Sequence, residues 1–223
     1  MKGLMTKKYH QERKEKLAPK YRLKRRGFEV TEAIKKYHPT NIKAILDIGT
    51  ADGLMLSRIK KEFPDAECVG LEYSEELIKT CDDKNIKIIQ GDAQNIPLEN
   101  NSFDIAIATA IIEHLDHPVK LLEEARRILK LDGILILTTP NPFFEKIADF
   151  IGHTEKEIHQ TSFGLKSLKI YFKKTNFQVL KTKRFMISPV GFPCELIIEK
   201  IIRFLKLDFI LLNQLIVGKK NVR

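Results

Sequence analysis

The chain has 223 residues, 43% of them apolar and 30% charged, with a formal net charge of +10. This balance excludes a disordered polyelectrolyte, and the lack of an apolar run of the roughly 20 residues a membrane span needs predicts one soluble domain with a buried core. The charge is segregated: residues 1–43 carry +10, residues 44–139 carry −8 and residues 140–223 carry +8, so two basic flanks, open to an anionic partner or simply to solvent, enclose an acidic middle.

Residues 1–26 lack apolar periodicity and read as a basic arm, flexible or loosely helical. The lysines there come without the apolar stretch of a secretory signal. Phe28, Val30, Ala33, Ile34 and Tyr37 then recur at helical spacing up to Pro39, which predicts a short amphipathic helix beside the first strand. From residue 43 apolar runs alternate with amphipathic ones. Strands are predicted over 44–48, 68–71, 86–89, 103–109 and 133–139. Helices are predicted over 52–63, from Ser74 as N-cap, and over 118–130 with Pro118 in the first turn. Strands alternating with helices imply a parallel sheet covered on both faces, with ligands outside the carboxyl ends of the strands where strand order reverses.

After Pro140 the alternation changes. A short helix is expected over 143–152, a polar loop over 154–163, a helix ending near Asn176 and a strand over 177–187. An amphipathic helix over 195–207 and a last strand over 210–217 follow. With no repeat or linker, residues 27–223 read as one domain, in which 140–176 and 189–208 are the variable, substrate-side segments. Cys68, Cys81 and Cys194 are odd in number and scattered, which predicts buried structural thiols and a cytoplasmic setting.

The stretch Ala44-Ile45-Leu46-Asp47-Ile48-Gly49-Thr50-Ala51-Asp52-Gly53 carries the first chemical signal. Strand, glycine turn and helix start let a ligand lie against bare backbone and open N–H groups. Asp47 stands at the strand end, Glu72 closes the second strand where ribose hydroxyls would meet it, and Gly91-Asp92-Ala93 follows the third, where a carboxylate would meet an adenine amine. A nucleoside contacted after three strands, without a glycine cradle for a pyrophosphate, points to a mononucleoside cofactor.

Over residues 40–140 the chain resembles the class I S-adenosylmethionine-dependent methyltransferases, in the group that includes ubiquinone-biosynthesis-type enzymes. The resemblance rests on Ile45-Leu46-Asp47-Ile48-Gly49, Val69-Gly70-Leu71-Glu72-Tyr73-Ser74, Gly91-Asp92-Ala93-Gln94-Asn95-Ile96-Pro97, Phe103-Asp104, Glu113-His114-Leu115 and Leu129-Lys130-Leu131-Asp132-Gly133. It implies an α/β, Rossmann-like, doubly wound and mostly parallel seven-stranded sheet of order 3-2-1-4-5-7-6, with the last strand antiparallel and helices on both faces. It implies S-adenosyl-L-methionine as cofactor. Asp47 and the backbone of Gly49, Thr50, Ala51 and Gly53 would lie against its methionine part, Glu72 at the ribose and Tyr73 beside the adenine. Asp92 and Ala93 would read the adenine amine, and Ala108, Thr109 and Ala110 would border the sulfonium. The family commonly has glycine where this chain has Ala51, whose small side chain is expected to preserve the turn with slightly tighter ligand contact. The resemblance also makes the helix near 27–38 a lid over the cofactor.

The sulfonium is already an activated leaving group, so the expected reaction is an in-line displacement that needs alignment and exclusion of water. His114 and His159 are the candidate bases for an acceptor proton. For His114 the alternative is to brace its loop, and His117 belongs to a helix start. Some small-RNA 2′-O-methyltransferases resemble the chain around Glu113-His114 and bind a divalent ion there, but they use a further glutamate where this chain has Ala110. Glu113, His114 and His159 are one ligand short, and no metal is expected. The expected acceptor is a small or lipid-like molecule, and the protein a monomer or homodimer. An RNA methyltransferase using the basic arm and a non-catalytic cofactor-binding protein are the alternatives. In the segment 191–207, Leu196, Ile197, Ile201, Ile202 and Leu205 are expected in the core by default, against a dimer contact or a wall for a hydrophobic or membrane-associated acceptor. Phe143, Phe144, Phe163 and Phe192 are expected as packing rather than pocket lining.

Overall fold

Seven strands form one sheet in the order β3-β2-β1-β4-β5-β7-β6. The computed structural model describes residues 15–38, 41–143 and 163–221. Residues 1–14 of the arm, Phe144, His159 and nearly all of 143–163 lie outside the described residues. The elements are α1 (Leu17–Tyr37), β1 (Ala44–Ile48), α2 (Leu54–Glu62), β2 (Glu67–Glu72), α3 (Glu75–Ile78), β3 (Lys87–Gln90), β4 (Phe103–Thr109), α4 (Pro118–Ile128), β5 (Leu129–Pro140), α5 (Leu165–Lys174), β6 (Phe177–Phe185), α6 (Glu195–Phe204) and β7 (Asn213–Lys220). The first five strands pair in parallel, and β7 runs antiparallel to both β5 and β6. The order and the antiparallel last strand are those the resemblance implies.

The nearly continuous apolar strands have a direct cause. Successive residues point to opposite faces of a sheet, and here both faces are covered. Ile45, Ile105, Ile107, Ile134 and Ile136 pack with Val30 and Ile34 of α1 and with Leu56 and Ile59 of α2. Their neighbours Leu46, Ile48, Ala106, Leu135 and Leu137 pack on the other face with Leu121, Leu122 and Ala125 of α4 and with Leu168 and Phe172 of α5. At the foot of the sheet, the Asp104 carboxylate accepts the Lys43 and Ala44 N–H groups at 2.8 and 2.9 Å and Lys130 Nζ at 2.9 Å, clamping the start of β1 to β4 and β5.

Several expectations need correction. No break separates an arm from a lid helix at residue 26: α1 is continuous from Leu17 to Tyr37. Its second half is no lid, because Val30 and Ile34 are wholly buried against the sheet. Strand β5 begins at Leu129, directly after α4, and slips register against β4 between Phe103 and Ile105. A one-turn helix at Asp208–Ile210 displaces the last strand to Asn213–Lys220. Of the thiols only Cys68 is buried, and burial pushes it up to about 11. Cys81 is half-buried and Cys194 exposed.

The largest correction concerns α6, which sits inside out. Its carboxylates Glu195 and Glu199 are buried, while Leu196, Ile197, Ile201 and Leu205 face solvent. The reason lies across the fold on α1. Arg25 is 5% exposed and needs anions. It bonds both oxygens of Glu199 at 2.8 and 2.9 Å and Glu29 at 2.5 Å. Glu199, 0% exposed, also accepts Arg203 Nη1 and the Met186 N–H. Glu195 accepts the Tyr21 hydroxyl and the Ile187 N–H. Satisfying these groups turns the acidic stripe inward and the apolar stripe outward. Among the phenylalanines, Phe163 is buried as expected, but Phe143 and Phe192 are exposed.

Candidate functional site

The carboxyl ends of β1, β2 and β4 lie side by side, with Ile48 opposite Leu71 and Ala108. The turn after β1 is built from alternating left-handed residues: φ is +75° at Gly49, +54° at Ala51 and +74° at Gly53. Gly49 and Thr50 both donate their N–H groups to the Leu71 carbonyl, at 2.8 and 3.1 Å. These bonds bend the chain sharply across the top of β2 before α2 begins.

Asp47 is buried at the strand end, where its Oδ2 accepts the Thr50 hydroxyl at 2.8 Å. Thr50 is itself buried, with its methyl group over Gly70: a Cβ on that glycine would stand 2.5 Å from Thr50 Cγ2. Thr50 thus works beneath the turn rather than on its open side. Glu72 ties the second strand to the turn. Its Oε2 accepts the Ala51 N–H at 2.8 Å and its Oε1 the Ser74 N–H at 2.9 Å. A carboxylate offers about four lone-pair sites, so each oxygen keeps acceptor capacity beyond its backbone bond. Tyr73, next in line, is exposed. Ser74 caps α3 by accepting the Leu77 N–H.

After β3, Asp92 Oδ1 accepts the Gln94 N–H at 2.8 Å, and Ala93 is buried beside it. The loop is braced from α4: Glu124 accepts the Ile96 N–H, and Arg127 donates to the Ile96 and Leu98 carbonyls. Ala108 is buried and Thr109 half-buried at the end of β4, and Ala110 turns the chain with φ +52° while donating its N–H to the Thr138 carbonyl at 2.8 Å.

The one-turn helix Ile112–His114 follows. His114 is half-buried, and its N–H donates to the Ile111 carbonyl. Glu113 is buried and accepts the Thr139 hydroxyl at 3.1 Å, so it braces the ends of β4 and β5. Among the described residues no group of three or more His, Cys, Asp or Glu could hold a metal ion. His117 is the N-cap of α4.

The predicted residues from Asp47 to Ala110 therefore gather at one edge of the sheet, whereas His159 lies outside the described residues. Two contributors escaped the sequence reading. Ile111 roofs the first turn, since a Cβ on Gly49 would lie 2.4 Å from its Cδ1. Asp52 is buried, and its Oδ1 accepts the Leu54 N–H at the start of α2. Asp52 beside Gly53 was a legible turn signal, although Gly53 rather than Asp52 stands at the N-cap of α2; nothing in the sequence pairs Ile111 with Gly49.

The methyltransferase-domain family matches residues 46–137, a span that contains Asp47 through His114. The demethylmenaquinone methyltransferase of Thermotoga maritima is 30% identical over 165 residues, covering 66% of this chain and 71% of that protein. The malonyl-[acyl-carrier protein] O-methyltransferase of Halalkalibacterium halodurans is 30% identical over 113 residues, covering 46% of this chain and 42% of that protein. In three dimensions the chain is similar to one from a complex of the Haloferax volcanii Trm112 methyltransferase activator. The TM-score there is 0.70 at 16% identity, over 96% of this chain and 98% of the other.

Proposed function

This chain belongs to the class I S-adenosylmethionine-dependent methyltransferases, and from that premise we propose that it methylates a small or lipid-like acceptor by in-line displacement at oxygen or nitrogen, with carbon as a third option. The observation that carries the cofactor assignment is the row of three carboxylates, Asp47, Glu72 and Asp92, at or just past the carboxyl ends of three adjacent strands. The donor set fits the cofactor, whose amino group, ribose hydroxyls and adenine amine are all hydrogen-bond donors that call for acceptors. Asp47 and the backbone from Gly49 to Gly53 hold the methionine part. Glu72 holds the ribose, Tyr73 flanks the adenine, and Asp92 with Ala93 reads its amine. Ala108, Thr109 and Ala110 border the reacting centre.

When bound, S-adenosylmethionine supplies a methyl group on a sulfonium that leaves as a neutral thioether. The chain's own residues then have three tasks. The turn after β1 and the residues from Ala108 to Ala110 align donor and acceptor. Ile111 and the buried residues around it keep water out. His114 takes the proton of an acceptor hydroxyl as the bond forms, or first takes a proton from an acceptor ammonium so that the freed amine lone pair can attack. A lipid-like acceptor is favoured by the Thermotoga maritima relative, which is named for a quinone.

Calorimetry with S-adenosylmethionine, followed by labelled methyl transfer into cell extract fractionated into small molecules, lipid, RNA and protein, tests this reading. Label in the small-molecule or lipid fraction is expected. Label in RNA alone would replace the acceptor, and cofactor binding without any transfer would make the protein a non-catalytic binder. His114→Ala should lower the rate where the wild-type imidazole is neutral, with the deficit shrinking as pH falls and that imidazole becomes protonated, and leave cofactor affinity intact.

A further inference from the structure

Ten of the sixteen exposed large apolar side chains among the described residues fall between Val190 and Phe209. They centre on α6, where Ile197 is 58%, Ile201 52% and Phe204 86% exposed. Such a face is excluded from water only by a partner, since contiguous apolar patches of this kind are uncommon on free surfaces. The charges around it are of one sign. Lys200 and Lys206 are exposed and Arg203 partly so, whereas both carboxylates of the helix are buried against α1. The one acid at the margin, Asp208, is paired with Arg184 at 3.1 Å. The patch reaches the carboxyl edge of the sheet, because Phe209 meets Phe143, just beyond β5, edge to face with ring centroids 5.8 Å apart.

We propose that α6 and its flanks, from Val190 to Phe209, form a docking surface for an anionic phospholipid bilayer. A helix with an apolar side, lysines beside it and no exposed acid has the composition that lies in the plane of a membrane interface. Its apolar side chains enter the acyl boundary while Lys200 and Lys206 meet the lipid phosphates. A second copy of the chain is a poorer occupant. A twofold contact would set this cationic rim against itself, with Glu195 and Glu199 too deep to compensate. The surface adjoins the edge that carries Asp47, Glu72 and Ala108, so docking brings that edge beside the bilayer. The proposal rests on no reading of the acceptor.

The test is co-sedimentation of the full chain with vesicles of phosphatidylcholine mixed with phosphatidylglycerol, against phosphatidylcholine alone. Binding to the mixed vesicles is expected, weakened on the order of tenfold or more by Lys200→Glu with Lys206→Glu and also by Ile197→Ser with Phe204→Ser. High salt should weaken it as well. These side chains are exposed, so thermal unfolding and S-adenosylmethionine calorimetry of the variants should match the wild type, which separates failure here from failure of the cofactor assignment. No binding of the wild type to mixed vesicles, or binding indifferent to both pairs of substitutions, overturns the proposal. So does a dimer in sedimentation velocity that Ile197→Ser with Phe204→Ser dissolves, since a second copy would then cover the face.

Discussion

The Glu72 carboxylate, at the end of β2, accepts the Ala51 N–H of the turn after β1 at 2.8 Å. One acid therefore serves two purposes: it shapes the glycine turn, and on the proposed reading it holds the cofactor ribose. Glu72→Gln leaves one good acceptor where two backbone N–H groups, those of Ala51 and Ser74, now bond. Cofactor affinity should fall roughly 10- to 100-fold, and stability by about 1–3 kcal/mol as one donor is stranded. Calorimetry and denaturant unfolding of the same preparation read the two effects separately. Affinity loss with unchanged stability would mean that the turn does not depend on Glu72.

Ala51 occupies φ +54°, a conformation that favours glycine. Its departure from the family's usual glycine is therefore a backbone effect first and a contact effect second. Ala51→Gly should raise stability by about 0.5–1 kcal/mol, seen as a higher urea midpoint. Gly49→Ala should do the reverse and more, because its φ is +75° and the new methyl would meet Ile111 Cδ1 at 2.4 Å.

Arg25 and Glu199 test the inverted helix. Each is buried, and if the other were lost each would forfeit its bidentate partner, leaving Arg25 with Glu29 and Glu199 with Arg203 as the remaining counter-charge. Arg25→Met or Glu199→Leu alone should cost about 1–3 kcal/mol, and the double substitution distinctly less than the sum. Chemical denaturation of all four proteins in the cycle measures the coupling. Additive losses would show that the pair does not orient α6.

Asp104 sets a pH dependence. Burial alone would push its carboxyl up, but the bonds from Lys130 and from the Ala44 and Lys43 N–H groups outweigh burial and hold it below its ordinary value. A carboxyl depressed in the folded state contributes stability that is fully present above its unfolded value of about 3.9 and is lost as pH falls through the folded value. Asp104→Asn should therefore be less stable than the wild type by about 1.5–3 kcal/mol near neutrality, and the gap should close below pH ~3.9. A gap that stays constant from neutral pH into that acid range would contradict the clamp.

Much of the molecule follows from local chemistry. The β-branched runs, the glycine turn after Ile48, the Ser74 cap and the Pro118 helix start are each decided by a few neighbouring residues, and the strand order came with the resemblance those motifs carry. The sequence by itself also marked Asp47, Glu72 and Asp92, because an acid at a strand end beside a glycine turn needs no distant partner to be noticed. Only the tertiary structure decided which way α6 faces, since periodicity reveals two stripes but not which one a buried arginine 174 positions away will claim. It likewise decided that Glu72 reaches back 21 residues to Ala51 and that Ile111 closes over Gly49. These contacts join separate strands and loops, and their energy exists only after the sheet has brought them together.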